Sequence, residues 1–472
     1  MTQKNFFITT PIYYVNDKPH IGHAYTTVAA DILARWHKQK GDEVFFLTGT
    51  DEHGAKVSDS AKLSNKSPQQ FCDENSALFK RAFDNLNLSY DYFIRTTDKR
   101  HEEAVGKFMQ KLFDQGDIYE GSYEGLYCTG CENFLTEKEL VDGKCPDHLK
   151  VPEKISEKNY FFKLTKYLDK VRELIEKDEI RILPEDKKKE ALGLFKQGLS
   201  DFSVSRENVK WGIPLPFDKS QVTYVWVEAL QNYISAIGYG DDRQNFEKWW
   251  QNPFHIMAKD ILKFHCVYWP ALLLAVGEKP PKQLFLHGFF SINGQKMSKS
   301  IGNVIDPNDL VAKYGADATR YLLISQFPFG QDGDIKQEKF DEQFNSDLAN
   351  GLGNIVSRVA NLIEQSEIKI IPKGSGELFN RISGDIENLR FHEALKTVFS
   401  LISDLNGELQ KIKPWEMTKD NSDRAKFLEK VASDLLSISE AIKPFMPETA
   451  KKIEDRFLAK EILKGEPLFP RI

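Results

Sequence analysis

Asn5-Phe6-Phe7-Ile8-Thr9-Thr10-Pro11-Ile12-Tyr13-Tyr14-Val15-Asn16-Asp17-Lys18-Pro19-His20-Ile21-Gly22-His23 is the stretch on which the fold turns. Its apolar start predicts a short buried strand over residues 5–10, then a loop over 11–19. A helix follows over 21–40, with Val28, Ile32, Leu33 and Trp36 on one face. His20-Ile21-Gly22-His23 thus falls at a helix start, where free backbone N–H groups and the positive end of the helix dipole favour phosphate. Gly22 lets a nucleotide approach the backbone, and His20 and His23, three apart, can both donate to phosphate oxygens. Taken singly, each histidine is an ordinary helix cap. The whole tetrapeptide after a strand points to phosphate.

A second motif lies far downstream: Lys296-Met297-Ser298-Lys299-Ser300 follows an apolar run over residues 283–290 and an Asn293-Gly294 turn, which predicts a loop. Lys296 and Lys299 are compact charges on flexible stems, able to reach oxygens whose charge grows as a leaving group departs. Gly294 and Gly302 are candidate hinges. A lone basic loop would read as a solvated surface; five matching residues downstream of a nucleotide-type helix start read as part of the same site.

Composition bounds the rest. A chain of 472 residues exceeds a single core and predicts two to four domains. With 41% hydrophobic and 28% charged residues it is an ordinary globular composition, and no apolar run reaches the roughly 20 residues that span a bilayer. The first strand begins within a few residues of the start, so no leader is expected and the cytoplasm is the expected compartment. A net charge of −6 and a pI near 6.0 leave any polynucleotide to local patches. Neither GxxxxGK[ST] nor GxGxxG occurs, which counts against P-loop enzymes and dinucleotide oxidoreductases.

Five cysteines, three of them clustered, argue against a disulfide framework; Cys72 and Cys266 read as buried small residues. Cys128, Cys131, Cys145 and His148 form C-x2-C-x13-C-x2-H, two tight pairs of soft ligands at the spacing of a closed tetrahedral zinc site. With all four positions filled by protein the metal is structural, holding a subdomain too small for its own core. Around it, residues 115–223 read as an insertion, because the strand–helix pattern before it resumes after it. Its lysine- and glutamate-rich stretch at 184–190 reads as solvated surface, and its length leaves little space for a hydrolytic editing domain.

Residues 43–49 read as a second strand running into Thr50-Asp51-Glu52-His53-Gly54. Ligands in doubly wound sheets sit beyond the carboxyl ends of strands, so Asp51 is placed either to hold a ligand ammonium or simply to form a turn. Tyr224, Trp226 and Tyr233, the run at 254–260, His265 and Trp269 are dense aromatics that read as core or as an apolar socket. From residue 341 onward the pattern is helical: Leu389, Phe391, Leu395, Val398, Phe399, Ile402, Leu405 and Leu409 follow one helical period and residues 427–442 another. Asn354 and Arg358 lie four apart on a helix face, and Pro414-Trp415 closes a helix. Trp415 alone reads as ordinary core packing.

These segments together resemble the bacterial-type methionyl-tRNA synthetases, a class I aminoacyl-tRNA synthetase family. The resemblance rests on Thr10-Pro11-Ile12-Tyr13-Tyr14-Val15-Asn16, the HIGH-type tetrapeptide, Gly49-Thr50-Asp51-Glu52-His53-Gly54, the knuckle, Val225-Trp226, Lys259-Asp260-Ile261 and the KMSKS-type pentapeptide, and spans nearly the whole chain. It implies an α/β fold. A Rossmann-like doubly wound parallel sheet (residues 1–114 and 224–306) would be split by a zinc-knuckle insertion (115–223), followed by a stem-contact linker (307–343) and an α-helical bundle (344–472). It implies a methionine pocket of Ile12, Tyr14, Trp226, Tyr233 and His265, with Asp51 on the ammonium. It also implies an ATP site of His20, Gly22, His23, Lys296 and Lys299 with Asp260 nearby, and anticodon contacts at Asn354, Arg358 and Trp415. The implied activity is ATP-dependent charging of tRNA with methionine through an adenylate, with one structural Zn²⁺, and Mg²⁺ accompanying ATP. Other expectations are a different class I synthetase or a non-catalytic tRNA-binding protein. The chain carries one knuckle pair where some relatives carry two, and it ends at Phe469-Pro470-Arg471-Ile472 without the appended dimerisation module of longer relatives, which implies a monomer.

Overall fold

The first strand is longer than the sequence predicts. Asn5–Tyr14 (β1) continues four residues past Thr10, through Pro11. Its parallel pairing with Glu43–Asp51 (β2) runs in one register from Asn5↔Glu43 to Thr9↔Leu47, then resumes shifted by one residue at Ile12↔Gly49, Tyr13↔Thr50 and Tyr14↔Asp51. Pro11 has no N–H for the ladder, so the chain bulges there rather than stopping. The slip turns the side chains after it to the opposite face from that of an unbroken strand.

In this computed structural model, residues 4–146, 149–297 and 302–472 are described. They fall into two compact units: residues through Pro19 with Gly41–Arg81 and Tyr90–His287, and His20–Lys40 with Ala82–Ser89 and Gly288–Ile472. The first unit is built on an all-parallel six-stranded sheet. Adding Tyr92–Arg95 (β3), Arg181–Leu183 (β4), Phe254–Ala258 (β5) and Gln283–His287 (β6), the order is β3-β2-β1-β5-β6-β4. The direction of strand addition reverses between β1 and β5, where a doubly wound sheet opens its ligand crevice. Strand β4 lies within the stretch read from sequence as insertion, yet it pairs with β6 as the sheet's edge.

That stretch also holds a four-stranded sheet, mainly the ten-residue antiparallel ladder of Ile118–Cys128 with Glu153–Phe162, and the helices Leu168–Glu176 and Glu185–Lys196. Between those strands lies the knuckle, where Val141 and Lys144 exchange backbone hydrogen bonds across an Asp142-Gly143 turn with both residues at positive φ. Asp-Gly is the pairing that such two-residue turns favour.

The second unit is mostly helical. Ile21–Gln39 (α1) buries most of its residues, among them Asp31. One oxygen of that carboxylate takes Arg35 and Arg320 at 2.7 Å each, and the other takes the Ser89 N–H and hydroxyl at 2.6 and 2.7 Å. Arg320 in turn donates to the carbonyls of Phe445 and Pro444. Burial pushes the Asp31 pKa up, and Arg320 and Arg35 more than reverse it, leaving the acid below its ordinary range. The predicted helices of the C-terminal part appear as Phe391–Ile412 and Ser422–Ile442, packed with Asn354–Glu364, Glu377–Glu387 and Pro447–Phe457.

Close backbone approach explains one glycine. A Cβ on Gly49 would stand 1.9 Å from the Ile94 carbonyl oxygen across β2 and β3. Backbone cannot yield as a flexible side chain does, so Gly49→Ala should cost about 3 kcal/mol of stability, read as a lowered urea midpoint at unchanged m-value.

Candidate active site

In the second unit, His20 is the N-cap of α1 in an extended conformation. Its Nδ1 accepts the Gly22 N–H at 3.1 Å, and the His20 N–H donates to His23 Nδ1 at 3.1 Å. The two rings stack with centroids 3.7 Å apart. Burial lowers the His20 pKa to about 4 and, with the neighbouring His20 ring, sets His23 well below its ordinary value. Both rings are therefore neutral at pH 7, with Nδ1 accepting and the proton on Nε2. The cap reading and the phosphate reading of this motif are compatible, because capping uses one nitrogen of each ring.

The two motifs meet. A Cβ on Gly22 would lie 3.7 Å from Met297 Cε, and the Ile21 N–H donates to the Ile305 carbonyl at 3.0 Å. Lys296 lies in a short strand, Gln295–Lys296, rather than in the predicted loop. That strand pairs with Phe290–Ile292 across Asn293-Gly294, whose two positive φ angles make a tight hairpin turn. Lys299 lies outside the described residues.

In the first unit, the residues proposed for an amino-acid pocket gather at the carboxyl ends of β1 and β2. Tyr14 stands opposite Asp51 and Ile12 opposite Gly49. The Tyr14 hydroxyl and Asp51 Oδ1 are both shielded from water and have no partner among the described residues. Burial, then Glu228 and Glu132, push the Asp51 pKa well up, and burial with the Asp51 charge does the same for Tyr14. A shielded carboxylate short of countercharge is a place where a cation is strongly favoured.

Trp226 stacks on Phe264 at 4.1 Å, meets Tyr14 edge-on at 5.9 Å, and donates its indole N–H to the Cys131 carbonyl at 3.0 Å. His265 lies in a five-residue π-helical segment, Phe264–Tyr268, just before Pro270, which cannot donate to the preceding turn. Its Nδ1 bonds the Ile261 carbonyl at 3.0 Å and its Nε2 the Tyr233 hydroxyl at 2.8 Å. Only a protonated Nδ1 can meet a carbonyl, so Nε2 accepts from Tyr233, and burial, which lowers the His265 pKa to about 4, keeps this tautomer neutral. Tyr233 also stacks on His255 at 4.2 Å. Asp260 is exposed on the turn after β5.

Sequence reading passed over the buried groups behind this pocket. Glu228 bonds His53 Nδ1 at 3.0 Å and His101 Nε2 at 2.9 Å, and the Glu132 carboxylate accepts from the Lys56 N–H and the Tyr127 hydroxyl. His53 stands inside a quoted motif and Glu228 two residues beyond Val225-Trp226, but nothing near His101 signals its role.

At the knuckle the Sγ atoms of Cys128, Cys131 and Cys145 lie within 4.8 Å of one another, with Cys131 and Cys145 at 3.4 Å. A tetrahedral Zn–S bond of about 2.3 Å implies sulfur separations near 3.8 Å, so the three thiols fit such an ion. His148 lies outside the described residues. In the helical bundle, Asn354 is exposed, Arg358 is half-buried, and the Arg358 guanidinium sits 5.1 Å over the Trp415 ring. Trp415 is 42% exposed.

A family model described as tRNA synthetases class I (M) matches residues 6–154 and 149–360. The parallel sheet and the capped HIGH-type helix, with Met297 beside it, are thus those of a class I tRNA synthetase. The methionine–tRNA ligase of Caldanaerobacter subterraneus subsp. tengcongensis is 43% identical over 100% of this chain and 79% of its own length, and that of Thermotoga maritima 40% over 99% and 80%. A solved Mycobacterium tuberculosis methionyl-tRNA synthetase in complex with methionyl-adenylate superposes with a TM-score of 0.91 at 34% identity, covering 99% of each chain. The chain belongs to the methionyl-tRNA synthetase family. Among the described residues, no helix is long and apolar enough to cross a membrane.

His265 also makes stability depend on pH. The unfolded chain binds a proton at this imidazole near the ordinary 6.5, and the native chain only near 4. Its contribution is intact above pH 6.5 and is lost as pH falls from there toward 4. Between pH 6.5 and 4.5, His265→Gln should lose about 2 kcal/mol less stability than wild type in urea titrations.

Proposed function

We propose that this chain activates methionine with ATP and transfers it to its cognate tRNA, working as a monomer in the cytoplasm. The observation that carries the reading is the meeting of the tetrapeptide's Gly22 with Met297 of the pentapeptide in one unit. The proposed domains follow the sequence reading, a catalytic domain split by the knuckle insertion and an anticodon-reading bundle from residue 344, except that Arg181–Leu183 of the insertion joins the catalytic sheet.

The methionine ammonium pairs with Asp51, one oxygen of which has no partner among the described residues, and the Tyr14 hydroxyl oxygen accepts from the same ammonium. Ile12, Trp226 and the Tyr233–His265 pair line the thioether, with His265 holding the Tyr233 ring in place through a neutral Nε2. The methionine carboxylate attacks the ATP α-phosphorus in line. A carboxylate oxygen–phosphorus bond forms, the bond to the bridging oxygen breaks, and pyrophosphate leaves with the electron pair. The Nε2–H groups of His20 and His23, the α1 N-terminus at Gly22, Lys296 and Lys299 stabilise the charge on the phosphate oxygens. Asp260 contributes a further contact, and Mg²⁺ enters with ATP. A ribose hydroxyl at the tRNA terminus then attacks the adenylate carbonyl and AMP departs.

The residues that would hold zinc are Cys128, Cys131, Cys145 and His148; bound there, the ion cross-links the knuckle and does no chemistry. Trp415, with Arg358 over its ring and Asn354 one turn before Arg358 on the same helix, presents an exposed ring on which an anticodon base stacks.

Pyrophosphate exchange screened over all twenty amino acids tests this reading: activity with methionine alone is expected, and activity with another amino acid or with none overturns it. Trp415→Ala should slow tRNA aminoacylation about ten-fold while leaving exchange within two-fold, and equal loss in both would make Trp415 structural. Cys145→Ser should release one equivalent of zinc, seen by metal analysis, and lower the melting temperature at unchanged sheet content.

A further inference from the structure

Glu228 is fully buried on the helix Val225–Leu230, two residues after Trp226 and five before Tyr233. A carboxylate in such a place is costly unless each oxygen is paired, and an apolar side chain of similar volume would serve packing alone as well. Both oxygens are paired, one to His53 and one to His101. The other nitrogen of His101 bonds the Ser235 hydroxyl at 2.8 Å, which lies 3.3 Å from the Asn232 carbonyl. These contacts tie together three segments: the end of β2, the helix Lys99–Asp114 and the Trp226-to-Ser235 stretch.

His53 lies two residues beyond Asp51 at the end of β2, and its backbone N–H favours the charged form of the Asp51 carboxylate. Burial disfavours both charged forms, yet the Glu228 pKa is held down by His53 and His101 and the His53 pKa is held up by Glu228. Glu228 thus has an imidazole partner on each oxygen, whereas Asp51, two residues from His53, keeps an oxygen without a partner among the described residues.

We propose that Glu228, acting through His53 and His101, is a positioning residue that fixes the Asp51 carboxylate at a set separation from Trp226 and Tyr233, so that the pocket measures the distance from ammonium to side chain. This rests on the reading that Asp51 takes the methionine ammonium. Both Glu228 oxygens are already taken by imidazoles, so that an incoming ammonium pairs with Asp51 and not with Glu228.

The test uses the full chain. In pyrophosphate exchange, Glu228→Gln should raise the methionine KM about ten-fold with the ATP KM within two-fold, and Glu228→Asp, which restores the charge, should recover part of the loss. The sharper readout is the ratio of inhibition constants of methioninol and its des-amino counterpart, which isolates the ammonium contact. Wild type should favour methioninol strongly, and Glu228→Gln should shrink that preference several-fold. If the methionine and ATP KM values rise together, or the preference survives in Glu228→Gln, the inference is overturned while the proposed function stands. A wild type without the preference overturns the Asp51 reading and this inference with it. Should Glu228→Gln fail to fold, Ser235→Ala decides, because it loosens only His101: a two- to three-fold smaller preference supports the inference, and an unchanged one overturns it.

Discussion

The one-residue slip in the pairing of β1 with β2 is the constraint on which the first unit depends. Pro11 cannot take its place in the ladder, so the strand bulges and rejoins with Ile12 opposite Gly49 and Tyr14 opposite Asp51. Without it, the side chains from Ile12 onward would face the other way, and the Tyr14 hydroxyl and the Asp51 carboxylate would not share a shielded space. Gly49 belongs to the same solution, since the strand it lies on runs hard against the Ile94 carbonyl.

Buried charge is handled in two opposite ways. Asp31 is surrounded by Arg35, Arg320 and Ser89, and Glu52 accepts Arg95 through both oxygens at 2.7 and 2.8 Å. Both acids have donors on each oxygen, and they fasten elements far apart in the chain. Asp51 is as deeply buried and is left with an unpartnered oxygen beside two further carboxylates. Asp31 and Glu52 are satisfied internally, whereas Asp51 keeps an oxygen that a cationic ligand can complete; Asp317 Oδ1, in the second unit, is likewise without a partner among the described residues.

The motifs carried most of what was legible beforehand. A strand, a helix beginning at His20 and a second strand ending near Asp51 follow from periodicity, because apolar spacing directly reflects which face is buried. The cysteine spacing foretold a sulfur cluster, and Cys128, Cys131 and Cys145 do converge. The helical period of the C-terminal part is realised in Phe391–Ile412 and Ser422–Ile442. Strand edges were read less well: a proline ordinarily ends a strand, and only the neighbouring β2 keeps β1 extended beyond it. The placement of Arg181–Leu183 at the edge of the central sheet was equally hidden, since three residues carry no period of their own.

The sequence alone determined the class of chemistry, because short motifs depend on local geometry: a helix start exposes its N–H groups wherever it folds, and closely spaced cysteines meet within a turn or two. The tertiary structure decided what those motifs act with. Met297 reaches Gly22, and His101 reaches Glu228 across 127 positions of chain. It also decided which charges end up paired. Such contacts depend on how distant segments pack and on how much water that packing removes, and neither quantity is encoded in a local run of residues.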